Sequence, residues 1–85
     1  MNAQEEIKYP DFEIIVKACI RKMKEAFSKY GNTWSTMKWN KQDWEARLEE
    51  EWAEVKQAEN KYDEMEELID VINIAAMRFT RLNEK

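Results

Sequence analysis

Apolar residues recur at helical spacing in three stretches of the chain. Phe12, Ile15, Val16, Cys19, Met23, Phe27 and Tyr30 advance mainly in steps of three and four, one face of an amphipathic helix that Gly31 stops. Pro10 suits the first turn of that helix, with Asp11 and Glu13 near its positive end. Ile14, Ile20 and Ala26 broaden the face beyond a narrow stripe, which implies contact with more than one neighbour. Residues 31–40, GNTWSTMKWN, hold turn residues and two tryptophans without a sustained period, and predict a loop with room for one helical turn. Asn40 followed by Asp43 has the spacing of a capping box and opens a second helix whose face reads Trp44, Leu48, Trp52, Val55, Glu59 and Tyr62. A third helix, roughly 62–83, puts Met65, Leu68, Ile69, Ile72, Ala75, Ala76, Phe79 and Leu82 on its core side. Along its flank run Asp63, Glu67, Asp70, Ile74 and Arg81.

Two pairs of acids sit on the second and third helices at a spacing of three, Glu51 with Glu54 and Glu67 with Asp70. Residues three apart share a helix face, so each pair presents two carboxylates in one direction. Both pairs are symmetric about the Asn60–Lys61 bond. If the chain reverses there into an antiparallel helical hairpin, Glu51 lies level with Asp70 and Glu54 with Glu67, and four carboxylates face one another. One uninterrupted helix would instead place Glu54 and Glu67 roughly 20 Å apart, at about 1.5 Å rise per residue. The turn is therefore the condition for the site. Asn60 ends helices readily, and it or Asp63 can cap the next one.

Composition fixes the class and narrows the chemistry. An 85-residue chain is at most one domain, here 1–85 with residues 1–9 polar and frayed, and it buries a limited core by itself, so a homodimer or homotetramer is expected. Hydrophobic residues at 44% argue against disorder, while 38% charged residues with one Gly and one Pro indicate solvent-facing helices: the class is all-α. A net charge of −4 makes a nucleic-acid polymer an unfavourable partner, although an acidic chain binds polyphosphate when a divalent cation lies between them. One Cys and no His fit a reducing compartment and exclude Cys/His zinc motifs. No run of 18 apolar residues and no apolar leader after Met1 are found, so the expected location is cytoplasmic, with no membrane span.

Charge runs on helices are often no more than solvated faces. Here Glu51 is flanked by Leu48, Trp52 and Val55, and Glu67 and Asp70 by Leu68, Ile69 and Val71. Half-buried acids that face acids repel unless a cation separates them. Oxygen ligands without His or Cys favour Mg²⁺, or Mn²⁺, and exclude the Glu-x-x-His pattern of di-iron bundles. The implied chemistry is phosphoryl or nucleotidyl hydrolysis with metal-activated water. The other class left open is a non-catalytic helical interaction protein.

The pattern Glu51-x-x-Glu54, twelve residues, then Glu67-x-x-Asp70 resembles the ExxE…ExxD signature of the MazG-like all-α nucleoside triphosphate pyrophosphohydrolases. EELIDVINIAAM, 66–77, is similar to that superfamily's second metal helix, including an Asn three residues after the Asp. The resemblance spans roughly residues 10–82. It implies an oligomeric helical bundle in which Glu51, Glu54, Glu67 and Asp70 bind Mg²⁺. It also implies hydrolysis of a nucleoside triphosphate to the monophosphate and pyrophosphate. Phosphoribosyl-ATP pyrophosphohydrolase and dUTPase activities belong to the same superfamily and stay open, as does the identity of the base.

Supporting candidates are fewer. Asn73, one turn past Asp70, is placed to donate to a phosphate or sugar oxygen, or else is satisfied within the bundle. Arg47, Lys38, Lys41, Arg78 and Arg81 lie towards the end of the hairpin opposite its turn, where a triphosphate or base would extend; Arg78 and Arg81 are the candidates among them. Trp34 and Trp39, in the loop, are better placed to stack on a base than Trp44 and Trp52, which sit in the helical stripe. Cys19 lies on an apolar face with no histidine base, which makes it a core residue.

Overall fold

The protein is described by a computed structural model covering residues 6–84. Residues 1–5, part of the stretch expected to be frayed, lie outside the described residues; residues 6–11 precede the first helix. Three helices follow: α1 Phe12–Tyr30, α2 Lys41–Gln57 and α3 Lys61–Asn83, with a short 3-10 turn at Thr33–Ser35. No strand occurs among the described residues, so the all-α class holds.

Each boundary has a local cause. Asp11, rather than Pro10, starts α1: its carboxylate accepts from the Ile14 N–H at 3.1 Å, and Pro10 stands outside the helix. Gly31 ends α1 with a φ of 66°, a conformation that costs a side-chain-bearing residue about 1 kcal/mol or more, and its N–H donates to the Phe27 carbonyl. Asn40 and Asp43 form the expected capping box, with both reciprocal hydrogen bonds at 2.9 Å. At the start of α3 the Asn60 side chain accepts from the Asp63 N–H at 2.9 Å. Only Ala58, Glu59 and Asn60 separate α2 from α3.

The helix faces turn inward differently from the periodicity reading. On α1 the half-buried positions are Ile15, Ala18, Cys19, Lys22, Met23 and Ala26, while Phe12, Val16, Phe27 and Tyr30, all expected in the core, are exposed. On α2 the inward positions include Trp44, Arg47, Leu48, Glu51 and Val55; of the rest of the expected face, Trp52 is exposed, and Glu59 and Tyr62 fall beyond α2, in the connection and in α3, and are exposed too. On α3 the expected flank is the inner side. Asn73 and Ile74 are buried and Glu67, Asp70, Val71, Met77, Arg78 and Arg81 half-buried, whereas Met65, Ile72, Ala75, Ala76, Phe79 and Leu82 are exposed, Phe79 to 72%. Leu68 and Ile69 fit the original reading in part, being half-buried. The physical reason is that α3 has apolar residues around most of its circumference, and α2 claims the side that carries the acids.

α3 is the central element, packed against α2 and, over a shorter stretch, against α1. Three contacts join α1 to α3: Asn73 Nδ2 donates to the Cys19 carbonyl at 3.2 Å, Lys22 Nζ to Asp70 Oδ2 at 3.0 Å, and Arg21 Nη2 to Glu66 Oε1 at 2.8 Å. The buried apolar core in one copy is Trp44, Val55 and Ile74.

The Asn60 cap makes one prediction. Asn60→Ala should lower stability in urea unfolding by about 1 kcal/mol, and Asn60→Ser, which keeps a capping oxygen, should recover most of that loss.

Candidate metal centre

The helix break after Gln57 brings the two acid pairs together. One oxygen from each of Glu51, Glu54, Glu67 and Asp70 lies within 4.8 Å of the others. A continuous helix from 51 to 70 would separate its ends by roughly 28 Å, so the cluster depends on the helix break at 58–60 and on the packing of α3 against α2.

The four carboxylates are not equivalent. Glu51 is 5% exposed, Glu67 and Asp70 are half-buried, and Glu54 opens to solvent. Glu51 Oε1 is ion-paired with Arg47 one turn earlier on α2, but Glu51 Oε2 is buried without a hydrogen-bond partner among the described residues. Glu67 Oε2 is in the same state. A buried acceptor without a donor costs roughly 1–3 kcal/mol, more when charged. These two atoms are therefore where the cluster most lacks positive charge.

The electrostatics agree. Burial pushes the Glu51 carboxyl above the usual carboxylate range; Arg47 pulls against that, and Glu54 and Asp70 add to the rise. Glu67 is raised first by burial and then by Glu54 and Asp70, with Lys22 opposing. Two cations from outside the acid pairs thus offset part of the repulsion: Arg47 at Glu51 and, from α1, Lys22 at Asp70. An oxygen-only donor set with two unpartnered buried carboxylate oxygens fits a hard divalent cation of the Mg²⁺ or Mn²⁺ type.

Two hollows flank the cluster and differ in charge. The open cleft towards the α2–α3 turn is lined by Glu54, Glu59, Asp63, Glu66 and Glu67. On the other side, a cavity of about 120 Å³ lies against Glu51 and Asp70 and is lined by Lys22, Arg47, Asn73 and Met77 among others. An anion is repelled from the first, whereas in the second the charges of Lys22 and Arg47 balance those of Glu51 and Asp70.

The remaining candidates are placed as follows. Asn73 lines the 120 Å³ cavity, and its amide N–H donates to Cys19 of α1. Arg81 donates to the Trp34 and Met37 carbonyls, both at 2.9 Å, and so ties the 33–37 segment to α3. The Arg78 guanidinium stands 6.0 Å over the Trp44 ring, and Trp39 packs edge-on to the same ring with centroids 5.0 Å apart. Trp34 Nε1 is buried without a partner among the described residues. None of Trp34, Trp39, Arg78 and Arg81 lines either hollow beside the carboxylates. Cys19 is half-buried, and burial pushes its thiol up, which disfavours the thiolate. Sequence reasoning missed Lys22. The signal was present, since Lys22 follows Cys19 by three positions and interrupts the stripe Ile15, Cys19, Met23 with a cation.

The raised carboxyls set a pH dependence. A carboxyl whose folded pKa exceeds its unfolded value favours folding below the unfolded pKa, and that contribution is lost as pH rises through the folded pKa. In chelator, stability should therefore increase as pH falls from about 7 towards the ordinary glutamate range near 4.3. Saturating Mg²⁺ should flatten or reverse that slope. Denaturant titrations at several pH values measure it, and a chelator slope of the opposite sign would contradict the repulsion described above.

Comparison of the chain with protein families, with characterised proteins and with solved structures returned no match.

Proposed function

We propose that the protein is a Mg²⁺-dependent nucleoside triphosphate pyrophosphohydrolase of the MazG-like type, acting through an antiparallel α2–α3 hairpin within an oligomeric helical bundle. The observation that carries this reading is the meeting of Glu51, Glu54, Glu67 and Asp70 within 4.8 Å, with Glu51 Oε2 and Glu67 Oε2 buried and unpartnered. The same four positions make up the ExxE…ExxD pattern of the sequence.

In this reading Glu51, Glu54, Glu67 and Asp70 would hold the divalent cation, Mg²⁺ or Mn²⁺. When bound, such an ion neutralises phosphate charge and lowers the pKa of coordinated water. A carboxylate oxygen of the cluster not engaged with the ion accepts the proton of the attacking water. Water adds at the α-phosphorus, the bond to the oxygen bridging to the β-phosphorus breaks, and monophosphate and pyrophosphate leave. The acidic cleft towards the turn disfavours the polyphosphate, and Lys22 and Arg47 on the other side would become available to it once a bound cation neutralised Asp70 and Glu51. Trp34, Trp39, Arg78, Arg81 and Asn73 remain the candidates for base and sugar contacts. The first four do not line the hollows beside the carboxylates, and their use for the nucleoside would require an extended ligand or a second subunit.

Assembly is part of the proposal. Phe12, Ile14, Val16, Ile20, Phe27, Met65, Ile72, Phe79 and Leu82 are exposed in one copy, more apolar surface than a chain of this size ordinarily leaves to water. Those faces also support a second reading, a non-catalytic helical interaction protein. Metal dependence separates the two.

Glu67→Gln is the direct test. In chelator the variant should be neutral or mildly stabilising, because it removes one charge from a repulsive cluster. With Mg²⁺ the wild type should gain stability as RT ln(1 + [L]/Kd) and the variant much less. Pyrophosphate release across a nucleotide panel should fall at least about a hundredfold in the variant. Full Mg²⁺ stabilisation and full release in Glu67→Gln would remove the basis of the proposal.

Light scattering tests the assembly. At micromolar concentration the protein should run as a homodimer or homotetramer, and Phe79→Glu with Leu82→Glu should shift it towards monomer. A folded, monodisperse wild-type monomer would refute the oligomeric bundle.

A further inference from the structure

Lys22 is a cation set among carboxylates on an otherwise apolar helix face. Its side chain is 19% exposed. The ammonium donates to Asp70 Oδ2 at 3.0 Å and to the Glu66 backbone carbonyl at 3.0 Å, and stands 3.5 Å from Glu66 Oε2. Burial lowers the Lys22 pKa, and the Asp70 and Glu66 interactions outweigh that and raise it overall, so the group is charged. Its position is fixed one turn earlier on α1, where the Cys19 carbonyl accepts from Asn73.

Resting on the metal reading above, Lys22 and a bound cation compete for one carboxylate. Asp70 is one of the four carboxylates that would hold a divalent cation, and its Oδ2 is already bound to a full positive charge. Two cations at one carboxylate repel and share its charge. Lys22 has somewhere to go, because it also lines the 120 Å³ cavity, which Arg47 lines as well. Arg47 stands in the same relation to Glu51, whose other oxygen is more than nine-tenths buried with its side chain and has no partner among the described residues.

We propose that Lys22 is the built-in counter-ion of the metal-free cluster: a divalent cation displaces it from Asp70, and the freed ammonium then binds an anionic phosphate oxygen in the cavity it shares with Arg47. Metal and anion are thereby coupled through one side chain. The ion releases the group that the anion needs, and the anion stabilises the displaced position.

The coupling gives Lys22→Met two effects of opposite sign. With a competing cation removed, Mn²⁺ alone should bind the variant more tightly, by about fivefold or more, as followed by the loss of free-ion electron paramagnetic resonance signal. With Mn²⁺ saturating, inorganic phosphate should bind the variant more weakly by a similar factor, as followed by calorimetry. A residue that merely supports the fold would lower both affinities or leave both unchanged, and either result in a folded variant overturns the proposal. Should Lys22→Met fail to fold, the wild type decides the matter. In metal-free protein the Lys22 ammonium should give a slowly exchanging nuclear magnetic resonance signal, which Mg²⁺ shifts while signals of exposed lysines such as Lys17 and Lys41 stay in place. A Lys22 signal unmoved at saturating Mg²⁺ overturns the exchange. The two levels of inference are distinguishable: wild type that binds no Mn²⁺ removes the metal reading and this one with it, whereas wild type that binds Mn²⁺ as tightly as Lys22→Met removes this one alone.

Discussion

Repulsion among four carboxylates is the constraint around which the molecule is arranged. Each of Glu51, Glu54, Glu67 and Asp70 would be harmless on a solvated helix surface. Bringing them within 4.8 Å while burying Glu51 costs free energy that the fold must offset elsewhere. The offsets are specific: Arg47 one turn before Glu51, Lys22 reaching from α1 to Asp70, and the Asn60 cap that starts α3 three residues after α2 ends. Removing one cation leaves a buried charge, whereas removing one carboxylate relieves the site.

The same arrangement explains why the apolar surface lies where it does. α2 takes the acid-bearing side of α3, and α1 takes the adjacent side around Asn73. The most continuous apolar stripe of α3, from Met65 through Ile72 to Leu82, is left facing outward, as are Phe12, Val16 and Phe27 of α1. A chain whose buried apolar core is Trp44, Val55 and Ile74 has little hydrophobic stabilisation in one copy. The proposed oligomer and the proposed metal therefore answer two different deficits, one of apolar burial and one of positive charge.

At the other end, aromatic and cationic groups are already engaged with one another. Arg81 holds the carbonyls of Trp34 and Met37, Arg78 lies over Trp44, and Trp39 packs on the same ring. These contacts order the segment between α1 and α2. They bear on the nucleoside reading, because a base that stacks on Trp39 must compete with Trp44, and a phosphate that recruits Arg81 must compete with two backbone carbonyls.

Local chemistry was legible in the sequence because it depends on neighbours along the chain. The Asn40–Asp43 capping box, the Gly31 stop, the break before Asn60 and the three-residue spacing of both acid pairs are all decided within a few residues. The symmetry of those pairs about the break was enough to bring Glu51, Glu54, Glu67 and Asp70 to one place. Which face of each helix turns inward was not legible. α1 has a distinct apolar face, yet the side it turns inward is rotated from that face towards Ala18 and Lys22, and α3 is apolar on several sides; the choice falls to the partner helix, which took the acid-bearing flank of α3 over its more apolar stripe. The sequence shows Lys22 interrupting the apolar stripe of α1 but not what the ammonium meets. Only the packing of α1 on α3 sets its ammonium 3.0 Å from Asp70, because an ion pair across 48 residues is fixed by helix docking and has no signature in local spacing.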